Sequence, residues 1–494
     1  MTRSVRLLPA LHRSRIRQLC CYGNSSQGDI CGIIGSREIA MRLVGFMAVL
    51  SLFGLIHCVR AVQTSSESAA TPGTSARPAA VASTATGTTS AAQPEKIILD
   101  YSPPPEQYAR AKAYSHAHYR HFFLNSLYGF IVLLLVLRWR IAPAYRNLAE
   151  RASSRRFVQL IIFTPLILLT IALLTIPSDI WDQSLDRASG LNVQSWSSWF
   201  GDWWLQQVIA LLIGTILAGI LYGVIRRSPR RFWFYFWLAS LPVLLLLLFL
   251  QPLVIDPLFY TFKPLAETQP TLVAEIQKVT HRGGMEVPAG RMFLMNASSK
   301  QTELNAYVAG FGASKRVVVW DNTVSKATVP ETLFVFGHEM GHYVLLHIPK
   351  EFAIISVILL VLLYLGYRLA AGMLARWGER WGIRNMGDWA SLPVLLWVIS
   401  LLTFLSTPAF NAVSRYFEHE ADRYGIEVIH GIVPDPNQVA AHYFEKSGEQ
   451  NLSDPSPNWF IKAWFFDHPT RPERVHFVAT YDPWAKGKEP FYVK

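Results

Sequence analysis

Residues 336–342 carry two histidines and a glutamate at a spacing that suits metal chemistry. The segment reads H-E-x-x-H, with His338 and His342 four residues apart, and residues at that spacing share one face of a helix. Two imidazoles on one face can bind a single Zn²⁺, and Glu339 can then act as general base toward a water at the metal. The motif predicts a zinc hydrolase site, with a chance match of a short motif as the alternative.

The residues before the motif predict the helix that positions these side chains. Thr328, Pro330 and Glu331 are typical of a helix start. The apolar residues 333–336 then lead directly into the motif. We therefore expect a buried helix that presents both histidines on one face.

A third metal ligand has to come from elsewhere, because a catalytic zinc usually binds three side chains and keeps a position for water. All four cysteines precede residue 60, so the remaining ligand is a histidine or a carboxylate. The longer pattern H-E-x-x-H-x-x-G-x-x-H is absent, since Leu345 and Ile348 occupy its last two fixed positions. His347 is near, but it lies five residues beyond His342 and off the shared face.

Residues 411–422 form a second predicted helical segment, and this one offers carboxylates. Glu418 and Asp422 are four residues apart on one helical face, so one can bind the metal while the other braces a ligand. From composition alone Glu420 is a rival for the third ligand. The segment could also be an ordinary solvated charged face, and the residues by themselves leave these alternatives open.

The composition indicates a membrane protein. Of the 494 residues, 51% are hydrophobic and 16% are charged, which is too apolar for an ordinary soluble protein. Many of the arginines behind the net charge of +12 are clustered at the ends of apolar runs, where they set orientation in a membrane. We therefore expect a lipid bilayer as a partner, and no nucleic acid.

The N-terminal region divides into three predicted segments. Residues 1–40 are a basic extension, and residues 41–61 have the basic start, apolar middle and small final residues of a signal peptide. An uncleaved N-terminal anchor is the alternative for 41–61, and Met41 is an alternative start. Residues 62–100 are rich in Ser, Thr and Ala and predict a disordered linker.

Six apolar segments have about the 20 residues that a bilayer crossing needs. They lie at residues 121–139, 157–176, 205–225, 232–254, 352–372 and 391–410. We therefore expect a mainly α, polytopic membrane protein with about six transmembrane helices and an inserted small α+β, zincin-like peptidase domain. Within that domain, residues 291–295 and 316–320 predict strands, and 305–308 an edge strand to which an extended peptide can add.

The charges between the spans predict an orientation. Arginine-rich loops follow the first, third and fifth predicted spans, whereas the loop after the second span is acidic. Loops rich in arginine face the cytoplasm. The segments 255–350 and 411–494, which hold the zinc motif, are then expected on the extracytoplasmic side.

These features together resemble the type I CAAX prenyl endopeptidase family of integral-membrane zinc metallopeptidases, which includes bacterial heat-shock membrane proteases. The family stretch S-R-x-x-E-x-x-A-D is similar to residues 414–422, and the resemblance implies that Glu418, and not Glu420, is the third ligand. It implies a catalytic proton-donor role or a ligand-bracing role for Asp422. The motif, with no usable cysteine, implies one zinc per chain, and we expect a bacterial-type protein of the inner (cell) membrane.

Further motifs extend the resemblance over about residues 101–480. Asn305-Ala306 is similar to the family's substrate-side strand, and His468-Pro469 with Arg474 is similar to its H-P-x-x-x-x-R motif. The resemblance thus implies substrate or transition-state roles for Asn305, Ala306, His468 and Arg474.

The predicted function is that of a membrane-embedded zinc metalloendopeptidase that cleaves peptide or membrane-protein substrates, as in CAAX-box protein processing. Its expected parts are a membrane domain over residues 101–265 and a zinc metallopeptidase domain over 266–494. The alternatives are a general quality-control protease for membrane proteins and, from another class, an inactive membrane scaffold. The family's eukaryotic members differ in having seven spans, a cytosolic zinc and a His where Glu303 stands.

Overall fold

The computed structural model describes residues 97–309 and 315–493. The predicted basic extension, the signal-like segment 41–61 and nearly all of the linker 62–100 therefore lie outside the described residues. Within the described ranges the chain is mainly helical with a small four-stranded sheet, which confirms the predicted fold class.

The first half of the described chain is a bundle of long apolar helices. They are α1 (Pro105–Arg138), α2 (Ile141–Ala152), α3 (Arg156–Ala188), α4 (Trp196–Arg227) and α5 (Phe232–Leu250), followed by a π-helical turn (Gln251–Ile255) and α6 (Asp256–Phe259). The short helix α2 connects the first two spans. Helices α1, α3 and α4, and the continuous helical stretch Phe232–Phe259, have the length and apolar character of membrane helices.

A small α+β region follows the bundle. It contains β1 (Phe262–Pro264), α7 (Leu265–Thr268), α8 (Pro270–Arg282), β2 (Met292–Met295), β3 (Ala306–Ala309), β4 (Arg316–Trp320) and α9 (Asp321–Lys326). The strand order is β1-β2-β4-β3, with β2 and β4 parallel and the outer strands antiparallel. The sheet therefore ends on β3, as expected of an edge strand, and β1 is a strand that the sequence pattern did not predict.

The second half alternates between peptidase helices and membrane helices. It contains α10 (Val329–Val344), α11 (His347–Trp381), α12 (Leu392–Ile429), α13 (Pro436–Gln450), α14 (Trp459–Phe465) and α15 (Arg471–Thr480). The H-E-x-x-H motif lies on α10, and α11 and α12 are long and apolar enough to cross a bilayer. With the four spans of the first half, six such helices are present in the described chain, which confirms the predicted number.

Helix α12 contains both a membrane span and the carboxylates that face the motif on α10. The predicted span 391–410 and the predicted carboxylate segment 411–422 are one continuous helix, and Pro408 lies inside it without ending it. Its start packs in a membrane core that includes Leu392 and Leu402, and its end packs in a peptidase core that includes Tyr424 and Ile429. One rigid element therefore determines where the carboxylates lie relative to the bilayer.

Arginines gather at the end of the bundle where α12 begins. Arg146 on α2 forms a buried ion pair with Asp388, with Nη1 and Oδ2 2.5 Å apart, and Arg384 binds both oxygens of Glu150 at 2.8 and 2.9 Å. Glu418 is 26 residues beyond the first residue of α12, which is roughly 40 Å at about 1.5 Å per residue. The arginine-rich end and the motif therefore lie on opposite sides of the membrane bundle.

Candidate metal centre

The helix that carries the motif, α10, is fixed at its start by a capping box. The Thr328 hydroxyl accepts the Glu331 N–H at 3.4 Å, and Glu331 Oε2 accepts the Thr328 N–H at 2.7 Å. Lys446 on α13 donates to the same carboxylate at 2.6 Å. Because the following apolar turn is buried, as predicted, the two histidines are held on the face that packs against α12.

Glycines allow α10 and α12 to approach closely. A Cβ on Gly337 would lie 2.7 Å from Cγ1 of Val428, and a Cβ on Gly425 would lie 3.1 Å from the main-chain nitrogen of His338. A side chain at either glycine would push the helices apart. The close approach brings Glu418 of α12 up to the histidines of α10.

Three candidate ligand atoms converge between the two helices. The Nε2 atoms of His338 and His342 are 3.3 Å apart, and Oε1 of Glu418 lies 3.4 Å from the first and 2.9 Å from the second. All three side chains are buried, and Glu418 is 0% exposed. Across the described ranges, no other group of three or more His, Cys, Asp and Glu side chains converges in this way.

Asp422 lies behind His338, one helical turn beyond Glu418. Its Oδ1 is 2.9 Å from Nδ1 of His338. Arg474 on α15 donates to both oxygens of Asp422, from Nε at 2.9 Å and from Nη2 at 2.5 Å. Arg474 Nη1 also lies 3.4 Å from Oε2 of Glu418, so one guanidinium contacts both buried carboxylates.

Two further side chains border the converging atoms. Oε1 of Glu339 is 4.0 Å from Nε2 of His338. Nε2 of His468 is 3.3 Å from Oε2 of Glu418, and its Nδ1 hydrogen-bonds to Asp467 at 2.6 Å. The His468 side chain is 35% exposed, so a substrate can reach it.

His347 contacts the site from the other side. Leu346 adopts a left-handed conformation between α10 and α11, and His347 follows it at the start of α11. Nδ1 of His347 lies 3.1 Å from Nδ1 of His342, and its Nε2 lies 3.4 Å from Oε2 of Glu420. Neither His347 nor Glu420 belongs to the converging group, and both lie behind it.

Asn305 and Ala306 lie at the start of β3, beside α10. The Trp320 N–H donates to the carbonyl of Asn305 at 3.1 Å, and the Ala306 N–H donates to the Asn305 side chain at 2.8 Å. Since main-chain groups alternate in direction along an antiparallel pair, those of Ala306 and Val308 are directed at the outer edge of the sheet. Glu303, just before this strand, is buried.

Two arginines balance the negative charge of the site. Desolvation on burial, and then the positive charge of Arg474, lower the pKa of Arg471 to about 10, so the Arg471 guanidinium stays charged at neutral pH. Burial raises the pKa of the neighbouring Tyr443 to about 12, which keeps that phenol neutral. Both arginines lie over the ring of Phe444, at 5.7 Å for Arg471 and 4.2 Å for Arg474.

The donor set fits a metal ion that binds nitrogen and oxygen. Two imidazoles and one carboxylate are a known ligand set of catalytic zinc. Zinc–nitrogen bonds of about 2.0–2.1 Å at tetrahedral angles separate two bound nitrogens by roughly 3.3 Å. The separation of the His338 and His342 nitrogens, 3.3 Å, is therefore the one that a shared ion requires. Fold and site together define a membrane-embedded metallohydrolase.

Comparisons with known proteins agree with that class. The sequence model of peptidase family M48 matches residues 266–482, and that of the CAAX prenyl protease N-terminal region, with five membrane helices, matches 88–261. The uncharacterized metalloprotease YhfN of Bacillus subtilis is 32% identical over 371 residues, which cover 75% of this chain and 85% of that protein. A CAAX prenyl protease 1 homolog of Dictyostelium discoideum is 25% identical over 386 residues, which cover 76% and 86%.

A solved structure shares the architecture. The crystal structure of S. mikatae Ste24p aligns with a TM-score of 0.65 and 20% identity, over 76% of this chain and 91% of that chain. This similarity confirms the polytopic membrane fold. The chain belongs to peptidase family M48 and is an integral, multi-pass membrane metalloprotease that acts on peptides. The predicted family and the predicted hydrolase activity are thereby confirmed.

Two contacts of the site do not follow from the motifs. The spacing of His347 predicts that it lies off the motif's face, and no local signal marks the left-handed Leu346 that precedes it. Asp467 belongs to no motif, and its place directly before His468 is the one signal for a partner of that imidazole.

Proposed function

We propose that this metalloprotease is a zinc endopeptidase whose metal is held by His338, His342 and Glu418. The observation that carries the proposal is the convergence of two imidazole nitrogens and one carboxylate oxygen, each within 3.4 Å of the others. The zinc ion would polarise a scissile carbonyl and make a nearby water more acidic.

The chain's own residues supply the proton transfers. Glu339, beside the ligand atoms, accepts the proton of the attacking water and delivers it to the leaving nitrogen. His468 is exposed and held by Asp467, so it is placed to donate a hydrogen bond to the developing oxyanion, an interaction worth about 3 kcal/mol in other hydrolases. Arg474 is committed to Asp422, which favours His468 for this role.

Asp422 acts in this proposal as a brace. Its contact with Nδ1 of His338 fixes the tautomer that directs Nε2 at the metal position. Because both of its oxygens are bound by Arg474 and it is 0% exposed, bracing is favoured over proton donation to a substrate.

The substrate peptide is proposed to add to β3. The carbonyl of Ala306 and the main-chain groups of Val308 at the outer edge can pair with an extended chain that runs past α10. Asn305 shapes the start of this edge, since its side chain accepts the Ala306 N–H. A substrate peptide paired with β3 would bring its scissile bond toward the histidines of the neighbouring helix α10, and this placement would allow cleavage.

An aromatic surface beside the site favours a substrate with an apolar anchor. Phe123, Phe404, Phe460 and Trp464 pack with ring centroids 4.9–6.3 Å apart. A hydrogen bond connects this surface to α12, since the Asn411 side chain donates to the carbonyl of Trp464 at 2.9 Å. Asn411 is seven residues before Glu418, roughly 10 Å along the helix. The proposed substrate is therefore a peptide carrying a lipid chain or a membrane segment.

Elemental analysis of the purified full chain tests the metal site. About one zinc per chain is expected, with most of it lost from Glu418→Ala. Glu420→Ala is the comparison on the same helix, and it should keep much more zinc than Glu418→Ala, because Glu420 is not one of the converging atoms. Loss of metal from Glu420→Ala together with its retention in Glu418→Ala would overturn the proposed ligand set.

A substrate comparison tests the finer specificity. Several relatives, including the Dictyostelium discoideum protein, are named CAAX prenyl protease 1 homologs, which favours a prenylated peptide. We expect a farnesylated CAAX peptide to be cleaved with a higher kcat/KM than the same peptide without the farnesyl chain. Equal cleavage of both, and of an unfolded membrane protein, would instead support the quality-control alternative.

A further inference from the structure

We propose that the C-terminal tail positions the ligand His342 through three side chains in series, Tyr492, Glu420 and His347. The inference rests on the proposed metal site and adds positioning residues to it. None of the three belongs to the converging ligand group. They connect that group to a segment about 150 residues away in sequence.

The three side chains are in continuous contact. Nδ1 of His342 is 3.1 Å from Nδ1 of His347, Nε2 of His347 is 3.4 Å from Oε2 of Glu420, and the Tyr492 hydroxyl donates to Oε1 of Glu420 at 2.7 Å. His347 is 0% exposed, and its ring lies 4.7 Å from that of Phe417. The imidazole is therefore held from several sides.

Ligation through Nε2 gives each contact a defined direction. A neutral imidazole that binds metal through Nε2 carries its proton on Nδ1, so His342 donates to Nδ1 of His347. His347 must then carry its own proton on Nε2, which faces the carboxylate of Glu420. Tyr492 donates to the other oxygen of that carboxylate, and the series ends on an O–H donor.

The two histidine ligands are thus braced differently. His338 contacts a carboxylate, Asp422, directly, whereas His342 reaches its carboxylate through a second imidazole. A partner of this kind fixes the ring orientation of a metal ligand, and its loss typically costs 10–100-fold in metal affinity. His347 is accordingly the most sensitive member of the series.

The tail that ends the series is itself firmly anchored. Glu427 of α12 is 0% exposed and accepts the N–H groups of Phe491, Tyr492 and Val493 at 2.7, 2.6 and 3.0 Å. Glu427 also accepts the hydroxyl of Tyr481. The main chain of the tail therefore stays in place when a single tyrosine hydroxyl is removed.

Metal release from the full-length zinc protein tests the proposal without any activity assay. The rate of zinc transfer to a chromogenic chelator is expected to rise about 10–100-fold in His347→Leu, which replaces the imidazole by an apolar side chain of similar size and so removes the acceptor. His347→Asn, whose amide oxygen can take the place of Nδ1, should restore most of the wild-type rate. Tyr492→Phe should give a rise of a few fold.

Tyr481→Phe is the matched control, because it removes a hydroxyl from the same C-terminal region whose acceptor is Glu427. It should release zinc at the wild-type rate. Wild-type release from both His347→Leu and Tyr492→Phe, or equal release from Tyr492→Phe and Tyr481→Phe, would overturn the proposal. Wild-type protein that binds no zinc would instead remove the proposed metal site. Thermal unfolding of each metal-free variant shows whether it is folded, and Tyr492→Phe gives the test if His347→Leu is not.

Discussion

Glu339 lies beside the converging ligand atoms without being one of them. Glu339→Gln keeps the size of the side chain and removes its ability to accept a proton. We expect this variant to retain zinc and to lose about 10²–10⁴-fold in kcat for peptide cleavage. Single-turnover cleavage measured together with zinc content checks this, and near-normal cleavage would remove Glu339 from the proposed base role.

Asp422 should behave in the opposite way, because it holds a ligand and not the water. Asp422→Asn breaks a buried ion pair with Arg474, and breaking such pairs typically costs about 3–5 kcal/mol of stability. We expect lower metal affinity and a lower unfolding temperature for Asp422→Asn, and neither change for Glu339→Gln. Zinc titration and thermal unfolding of the two variants side by side give the comparison, and wild-type metal affinity in Asp422→Asn would rule out the bracing role.

At the residue scale, the sequence predicted the H-E-x-x-H group but could not choose its third partner. Glu418 and Glu420 are two positions apart, so they lie on nearly opposite faces of α12. Which face meets the histidines is decided by the packing of α12 on α10, and a single sequence does not contain that packing. The resemblance to a known family implies Glu418 as the third ligand. In the structure the Glu418 carboxylate, and not that of Glu420, lies against the His338 and His342 nitrogens of the converging group.

The α10–α12 contact is the element that assembles the site, and its glycines make a test of it. Gly425→Ala places a Cβ 3.1 Å from the main chain of His338, which must move the helices apart. We expect a loss of about 1–3 kcal/mol in stability, as for other overpacked contacts, together with faster zinc release.

Gly366→Ala is the control for that variant. Gly366 lies on the membrane helix α11, where a Cβ would meet Leu402 and Val398 at ordinary contact distances of 3.7 and 3.8 Å. The substitution should leave zinc release unchanged. Equal behaviour of the two alanine variants would show that close packing of α10 and α12 does not control the ligands.

At the element scale, the length of the apolar runs predicts the membrane helices, but it does not predict how far the helices extend beyond those runs. Hydropathy marks only the part of a helix that is apolar, so the polar continuation of α12 beyond residue 410 was expected as a separate element. Strand β1 was missed for a related reason, since its three residues include a proline and a lysine and have no alternating pattern. The capping residues of α10 were readable because they act locally.

For the whole molecule, the arginine-rich end predicts which side of the membrane bears the site. Arginine-rich loops face the cytoplasm, and the candidate metal centre lies at the other end of the bundle. We expect a phosphatase fused after Lys494 to be active and a fluorescent reporter fused there to be dark, in a bacterial host. A fluorescent C-terminus would place the site in the cytosol, where prenylated peptides are made. It would mean either a further span within residues 191–204 or a retained 41–61 helix in the opposite orientation to the one expected.

The division of the chain at residue 265 stays a prediction. Contacts cross the proposed boundary, since Lys112 of α1 forms an ion pair with Asp454 at 2.9 Å and the Tyr119 hydroxyl donates to the same carboxylate at 3.1 Å. A sequence pattern shows where apolar runs stop, but it does not show such long-range contacts.

The continuity of α12 has a consequence for how a cleavage position is chosen. Phe410 is the last residue of the apolar run 391–410, and Glu418 lies eight residues further, roughly 12 Å at about 1.5 Å per residue. Because α12 is one continuous helix, the distance between the end of its apolar run and the candidate metal centre is fixed. For a substrate tethered in the same bilayer, about four extended residues of roughly 3.3 Å each span that distance. If residues are inserted between the substrate's membrane anchor and its original cleavage site, a different peptide bond should be cleaved. The number of residues between the anchor and the cleaved bond should stay the same.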